Sequence, residues 1–181
     1  MRQVAALFAG VALAAAGAGP APASSCDSQP QFHALDFWIG RWRVVDPSGA
    51  LQGFNVVRKI EAGCALLEEW REPDGSTGTS FFWVEPASRA WRQVWITDRA
   101  LAIAGTKEKR QVQAADVAPG AVRMQGERAG RDGRRVLDRT TLTPLPDGTV
   151  RQWIQVSRDG GATWDDGWIG IYSPDATAVT R

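Results

Sequence analysis

A single histidine and two cysteines occur in the 181 residues, and this scarcity excludes several kinds of site. His33 cannot form a histidine-based metal centre alone, and Cys26 and Cys64 lie too far apart in sequence to complete a zinc motif with it. The chain also lacks a G-x-S-x-G nucleophile elbow and a glycine-rich phosphate loop. We therefore expect no metal site and no cofactor.

A large excess of one charge is also absent. The chain has 21 basic and 20 acidic residues, so it is nearly neutral. Arg131, Arg134 and Arg135 resemble a basic hairpin tip, but Asp132 and Asp138 dilute it, and we interpret it as a solvated surface. This charge balance gives no reason to expect a nucleic-acid partner.

Long apolar runs are confined to the N-terminus. Residues 4–18 form such a run after Arg2, and Ala21-Pro22-Ala23 supplies small residues for cleavage. This pattern predicts a secretory signal peptide over residues 1–23. Because the run is shorter than the ~20 residues that span a bilayer, we expect an exported, periplasmic or extracellular protein without a transmembrane segment.

Two alternative fates are open to Cys26. The segment Ala23-Ser24-Ser25-Cys26 is an imperfect lipoprotein cleavage box, which would make Cys26 a lipid anchor. If cleavage follows Ala23 instead, a disulfide between Cys26 and Cys64 is the simplest expectation in an oxidising compartment. Residues 24–31 are polar and contain Pro30, so we predict a tether there.

Short runs of alternating apolar residues predict a single all-β domain over residues 32–181. A short helical turn is expected just before the first strand. The predicted strands cover residues 41–46, 53–60, 64–71, 79–85, 91–98, 100–107, 122–127, 135–143, 149–157 and 167–172, with Gly, Pro and Asp in the turns between them. The state of residues 108–121 stays open.

About ten short strands joined by hairpins must close or split into two sheets to protect their edges. We favour an up-and-down antiparallel β-barrel, and a two-sheet sandwich is the alternative. A barrel of eight or so strands can hold one small ligand.

Gly40-Arg41-Trp42 follows an apolar lead-in and should form the closed floor of the barrel, with Gly40 allowing close backbone approach and Trp42 pointing inward. The motif resembles the first signature of lipocalins and the wider calycin group, whose barrels bind small, mostly hydrophobic molecules. In that group a distant arginine lies over the tryptophan ring. The resemblance implies that role here for Arg151 or Arg181.

A longer set of motifs is similar to a large family of bacterial exported proteins of unknown function with a calycin-like barrel. The set comprises His33, residues 35–42, Gly63-Cys64 with Glu68-x-Trp70, Trp91-x-Gln93-x-Trp95-x-x-Asp98, and Ser157-x-Asp159-Gly160-Gly161-x-x-Trp164. The resemblance covers most of residues 32–172 and implies the fold but no activity. Related haem barrels use a histidine near the C-terminus, and the absence of one after His33 argues against haem.

Residues 157–164 also fit the S-x-D-x-G-x-x-W pattern of sialidase propellers. The pattern occurs once, whereas a propeller needs a repeated blade unit. We therefore interpret it as a hairpin turn in which Asp159 accepts backbone N–H bonds and Trp164 covers the turn, not as a sugar-binding site.

Glu68 is the main candidate for a functional carboxylate. Strand alternation places Leu66, Glu68 and Trp70 on one face, whose apolar content favours the barrel interior. A buried carboxylate there must find a partner or a ligand, and possible partners are Arg92, Gln93 and Arg139. If that strand face points outward instead, the Glu68 carboxylate is simply solvated.

The nine tryptophans are more than a solvent surface would carry, and we expect two or three of them to face a cavity. The best pocket candidates are Glu68, Trp70, Trp95 and Trp153. His33 with Asp36 is an alternative acid–base pair at the barrel mouth.

The leading hypothesis is an exported barrel that binds a small hydrophobic or amphipathic molecule. One alternative is a small-molecule isomerase or hydrolase that uses Glu68, His33 or Asp36 inside the barrel. The other is a ligand-free interaction module of the cell envelope. We favour binding over catalysis.

Overall fold

Ten antiparallel strands form a closed barrel in the computed structural model, which describes residues 26–99, 107–130 and 132–176. The strands are β1 (Gly40–Val45), β2 (Leu51–Ile60), β3 (Ala65–Arg71), β4 (Thr77–Val84), β5 (Trp91–Thr97), β6 (Lys107–Val112), β7 (Val122–Ala129), β8 (Arg135–Pro144), β9 (Val150–Ser157) and β10 (Asp165–Pro174). Each strand pairs with the next, and β1 pairs with β10, so the sheet has no free edge. The predicted up-and-down barrel is confirmed, and the sandwich is not formed.

β6 lies almost wholly in the tract whose state the sequence leaves open. The sequence predicted a strand over residues 100–107 and left 108–121 open, whereas β6 covers Lys107–Val112. Residues 100–106 lie outside the described residues, as does the predicted signal peptide. The apolar pattern gave no signal for β6 because its buried inward position is Lys109, which is 4% exposed and paired with a carboxylate.

Two short 3₁₀ turns, Pro30–His33 and Asp36–Trp38, plug one end of the barrel. Leu35 and Trp38 are fully buried. They belong to a core cluster that comprises Leu35, Trp38, Trp42, Val44, Val57, Leu66, Phe82, Trp91, Val122, Met124, Leu142, Val150 and Tyr172. The predicted helical turn before the first strand is therefore a plug that fills this end of the barrel with apolar side chains.

Trp42 lies in this floor, as the Gly-x-Trp motif predicted. Its Nε1–H donates to the carbonyl oxygen of Trp38 at 3.0 Å. A Cβ atom added to Gly40 would lie 3.2 Å from the Trp42 ring, which explains the glycine. The expected arginine over Trp42 is not Arg151, whose guanidinium lies over the outward Trp153 ring at 5.5 Å; Arg181 lies outside the described residues.

The segment predicted to be a tether is anchored where it is described. Cys26 is buried and forms a disulfide with Cys64, at a Cα–Cα distance of 5.2 Å. The first 3₁₀ turn begins at Pro30, inside the range assigned to the tether. A disulfide at Cys26 uses the sulfur that a lipid anchor would need, so the two fates exclude each other.

No helix among the described residues is long and apolar enough to cross a membrane.

We predict that the Cys26–Cys64 disulfide stabilises the fold strongly. It closes a loop with a sequence separation of 38, for which the chain-entropy relation gives about 4 kcal/mol. The double variant Cys26→Ser/Cys64→Ser should lose that amount in urea unfolding and should no longer respond to reductant. An unfolding curve that reductant leaves unchanged in the wild-type protein would contradict this.

Candidate functional site

A cavity of about 270 Å³ opens at the end of the barrel opposite the plug. Along β3, Leu66 contributes to the plugged core while Trp70 lines the cavity, and along β5 the same holds for Trp91 and Trp95. The lining residues are Glu68, Trp70, Glu72, Gln93, Trp95, Lys107, Lys109, Thr140, Gln152, Ile154, Trp168 and Tyr172. The barrel thus has a closed half with an apolar interior and an open half lined by both polar and apolar side chains.

Three indoles, those of Trp70, Trp95 and Trp168, form most of the apolar part of the lining, which also includes Ile154. Trp70 and Trp168 meet edge to face with ring centroids 6.1 Å apart. Each indole lies against a glycine: Trp70 against Gly53, Trp95 against Gly78 and Trp168 against Gly170. A Cβ atom at Gly78 would lie 2.8 Å from the Trp95 indole nitrogen, so these glycines determine where the rings lie.

Glu68 forms a polar wall with residues of the adjoining strands. Its carboxyl accepts a hydrogen bond from Asn55 Nδ2 at 2.7 Å, and next to it Gln93 Nε2 donates to Ser80 Oγ at 3.2 Å. Burial raises the pKa of Glu68, although hydrogen bonds from Ser80 and Asn55 oppose the shift. Asn55 Oδ1 and Gln93 Oε1 are buried and have no hydrogen-bond partner within the described part of the chain.

The second polar wall is a cluster of three cations around Asp138. Lys109 Nζ contacts Asp138 Oδ1, and Arg128 Nε and Lys107 Nζ approach Asp138 Oδ2 at 2.9 and 3.5 Å. Burial, reinforced by the neighbouring cations Lys107 and Arg128, lowers the pKa of Lys109 to about 8 despite the attraction of Asp138. Burial alone would raise the pKa of Asp138, but Lys109 and Lys107 outweigh it and hold that pKa below its ordinary value.

Tyr172 separates the cavity from the plug. Its hydroxyl donates to Gln152 Oε1, and its ring packs edge to face against both Trp38 and Trp42. Burial raises the pKa of Tyr172 well above its ordinary value, so the phenol stays neutral. The cavity floor is therefore a rigid, uncharged hydrogen-bonded pair.

The structure brings together three of the four predicted pocket residues. Glu68, Trp70 and Trp95 line the cavity. Trp153 does not, because it lies on the face of β9 opposite Gln152 and Ile154, and its indole donates to Asp166 Oδ1 at 2.8 Å.

Of the residues proposed as partners of Glu68, one lies near it and two do not. Gln93 lines the same cavity. Arg92 instead pairs with Glu108 at 2.8 Å, and Arg139 lies 3.9 Å over the Trp164 ring. The observed partner of Glu68, Asn55, was not considered.

His33 and Asp36 do form a pair, but not at the barrel mouth. His33 Nδ1 lies 2.6 Å from Asp36 Oδ2, and Lys59 at the plugged end of β2 contacts the same carboxyl at 3.1 Å. The carbonyl of Asp27 and the Asp36 carboxylate raise the pKa of His33. Neither residue lines the cavity, so this cluster holds the plug to the barrel wall rather than facing a ligand there.

The Ser157–Trp164 segment folds as the predicted turn. Asp159 accepts hydrogen bonds from the Thr163 backbone N–H at 2.9 Å and from its hydroxyl. Trp164 Nε1 donates back to the Gly161 carbonyl at 3.1 Å. These bonds hold the pKa of Asp159 far below its ordinary value, which is the expected effect of a carboxylate fixed in a turn.

Sequence reasoning missed the cationic wall. Lys107 ends a predicted strand, Lys109 lies in the tract left open, and Asp138 entered the sequence analysis only as an acidic neighbour of a basic hairpin tip. The available signal was the Lys107-Glu108-Lys109 alternation, which places two lysines on one strand face.

No protein-family model and no curated protein matches the chain. The barrel agrees with the calycin-like resemblance but does not identify a family, because unrelated proteins share this architecture. Within the described residues no group of His, Cys, Asp and Glu is arranged to hold a metal ion. The function must therefore be argued from the cavity itself.

We predict that Glu68→Gln changes the pH dependence of stability. Because the folded-state pKa of Glu68 is raised above the ordinary 4.5, the wild-type protein loses stability as pH rises from there through the folded pKa. The variant keeps the Asn55 bond without this loss, so its free energy of unfolding should exceed the wild-type value at neutral pH and match it at acid pH.

The matched control is Glu69→Gln, on the outer face of the same strand. It should follow the wild-type pH profile in urea unfolding. A Glu68→Gln profile parallel to that of wild type would show that Glu68 is not buried in the folded state.

We predict that Gly78→Ala displaces the Trp95 indole. The added methyl group clashes with the ring, and overpacking of this kind costs about 1–2 kcal/mol. Near-UV circular dichroism should change, whereas Thr79→Ala on the outer face of β4 should leave it unchanged. An unaltered spectrum with unaltered stability would disprove the assigned position of Trp95.

Proposed function

We propose that the protein is an extracytoplasmic binding protein that holds one small amphipathic molecule in the open half of its barrel. The observation that carries this proposal is a cavity lined by three indoles together with polar side chains, one of which, Gln93, has a buried Oε1 without a hydrogen-bond partner among the described residues. Filled barrels have neither feature, which is why we favour binding over a ligand-free interaction module.

The size of the cavity suits a small molecule. A volume of about 270 Å³ lies just below the usual range of ligand pockets. The indoles offer an apolar body broad contact at low entropy cost, since each side chain has two rotatable bonds. The ligand body is therefore expected to be flat or compact.

Polar atoms of the cavity wall would orient the ligand. Gln93 lines the cavity, and its buried Oε1 is costly unless a donor reaches it. A ligand hydroxyl or N–H placed against the Glu68 wall would satisfy this requirement. Amphipathic ligands fit the cavity better than purely hydrophobic ones for this reason.

Export is part of the proposal. It is supported by the signal-like segment at residues 1–23 and by the Cys26–Cys64 disulfide, since such bonds persist in oxidising compartments. The calycin-like motifs are in keeping with the same function, because barrels of that group bind small molecules.

The test is native against denaturing mass spectrometry of the protein purified from its own cells. The wild-type protein should carry a non-covalent mass of a few hundred daltons that disappears on denaturation. Trp70→Ala and Trp95→Ala should lose it, and Trp153→Ala, which removes an indole from the outer face, should retain it. A bare chain mass for the wild-type protein would contradict the proposal.

A second candidate function is acid–base catalysis by Glu68. The favouring observation is that Glu68 is buried, has a raised pKa and still faces a cavity open to solvent, which are properties of a general base. If Glu68 removes a proton from carbon, the retained molecule should gain deuterium at carbon in D₂O with wild type but not with Glu68→Gln. Absence of exchange in both would leave binding as the function.

A further inference from the structure

We propose that the ligand of this cavity is an organic acid, whose apolar body lies among the indoles and whose single anionic group is held by Lys107 and Lys109. This assignment rests on the proposed binding function and adds the charge class of the ligand. It follows from an excess of positive charge on one wall of the cavity.

The excess is visible in the ion pairs. Lys107, Lys109 and Arg128 all contact one carboxylate, that of Asp138, which is almost fully buried. One negative charge therefore faces three positive charges in a region of low dielectric. Two of these cations, Lys107 and Lys109, line the cavity directly.

Lys109 is the most deeply buried of the three cations. Its side chain is 4% exposed, and lysines are almost never buried without full pairing. Its ammonium group has three N–H donors. Nζ donates to Thr140 Oγ1 at 2.6 Å and forms an ion pair with Asp138 Oδ1. Among contacts of the described residues, at least one donor therefore has no protein acceptor and is available to a group in the cavity.

Lys107 makes a longer ion pair with Asp138 than Lys109 does. Its Nζ is 3.5 Å from Asp138 Oδ2 and lies 5.2 Å from the centroid of the Trp95 ring. This position puts a cation between the ionic cluster and an indole of the lining. A ligand that rests on Trp95 would thus bring its polar end to Lys107.

The other carboxylates of the lining do not balance these charges. Burial favours the neutral form of Glu68 and outweighs the attraction of Lys109, and the Glu68 carboxyl already accepts a hydrogen bond from Asn55. Glu72 is more than a third exposed and pairs with Arg99 at 3.3 Å. The missing negative charge has to come from the ligand.

An organic cation would otherwise suit a cage of indoles beside a glutamate. In this cavity it would face two lysines, one of which already lies over the Trp95 ring. Like charges at such short range are strongly unfavourable when desolvated. The charge distribution therefore favours an anion.

The test compares three probes with the same body and different charge: 2-naphthoate, 2-naphthamide and 2-naphthylmethylammonium. Calorimetric titration of the wild-type protein should show the order naphthoate, then amide, then ammonium in decreasing affinity. Lys109→Met and Lys107→Met should each weaken naphthoate binding about tenfold, the effect of one charge-assisted hydrogen bond. Neither change should affect the amide.

Two features keep this test decisive. In Lys109→Met, Asp138 still has Lys107 and Arg128 as partners, so the fold should persist, and an unchanged amide affinity would verify it. Arg110→Met removes the same charge from the outer face of β6 and should leave naphthoate binding unchanged.

The outcomes separate the two proposals. Equal or tighter binding of the amide or the ammonium, or an Arg110→Met loss equal to that of Lys109→Met, would overturn the organic-acid assignment and leave the binding function standing. Failure of all three probes overturns the assignment as well. If the purified protein also has a bare native mass, the proposed function fails with it.

Discussion

The closed end of the barrel depends on the contact between Trp42 and the plug. Trp42 Nε1 donates to the Trp38 carbonyl at 3.0 Å, and Trp38 and Tyr172 pack edge to face around it. The plug is in turn held from outside by the disulfide of Cys26 and by the His33–Asp36–Lys59 contacts. Because apolar side chains pack against one another in this half, the cavity lies at the other end of the barrel.

Strand alternation then decides the chemistry of the open half. In a closed sheet every second residue points inward. Six of the strands, β3, β5, β6, β8, β9 and β10, each contribute one or two side chains to the cavity. Glycines at inward positions leave room for the indoles, and Glu68 on β3 and Lys109 on β6 both enter the cavity. Burial shifts the pKa of Glu68 upward and that of Lys109 downward, so both groups lose charge more readily than in water.

The sequence was sufficient for the barrel, the floor at Trp42, the Asp159 turn and the inward face of Glu68, because those features depend on local periodicity and turn residues. It was insufficient where polar residues point inward. Lys109 is buried beside Asp138, which lies on β8, and no local pattern shows that pairing. Trp153 was assigned to the cavity because aromatic content alone does not distinguish the two faces of β9.

The central claim, an open cavity above a sealed floor, is tested most directly by the indole N–H signals in ¹⁵N-labelled protein with the small neutral radical hydroxy-TEMPO. The indoles of Trp70, Trp95 and Trp168 should show strong relaxation enhancement, and those of Trp38, Trp42 and Trp91 should show none. Protection of all six indoles would mean a barrel without an accessible cavity. Enhancement of Trp38 or Trp42 would mean that the plug does not seal its end.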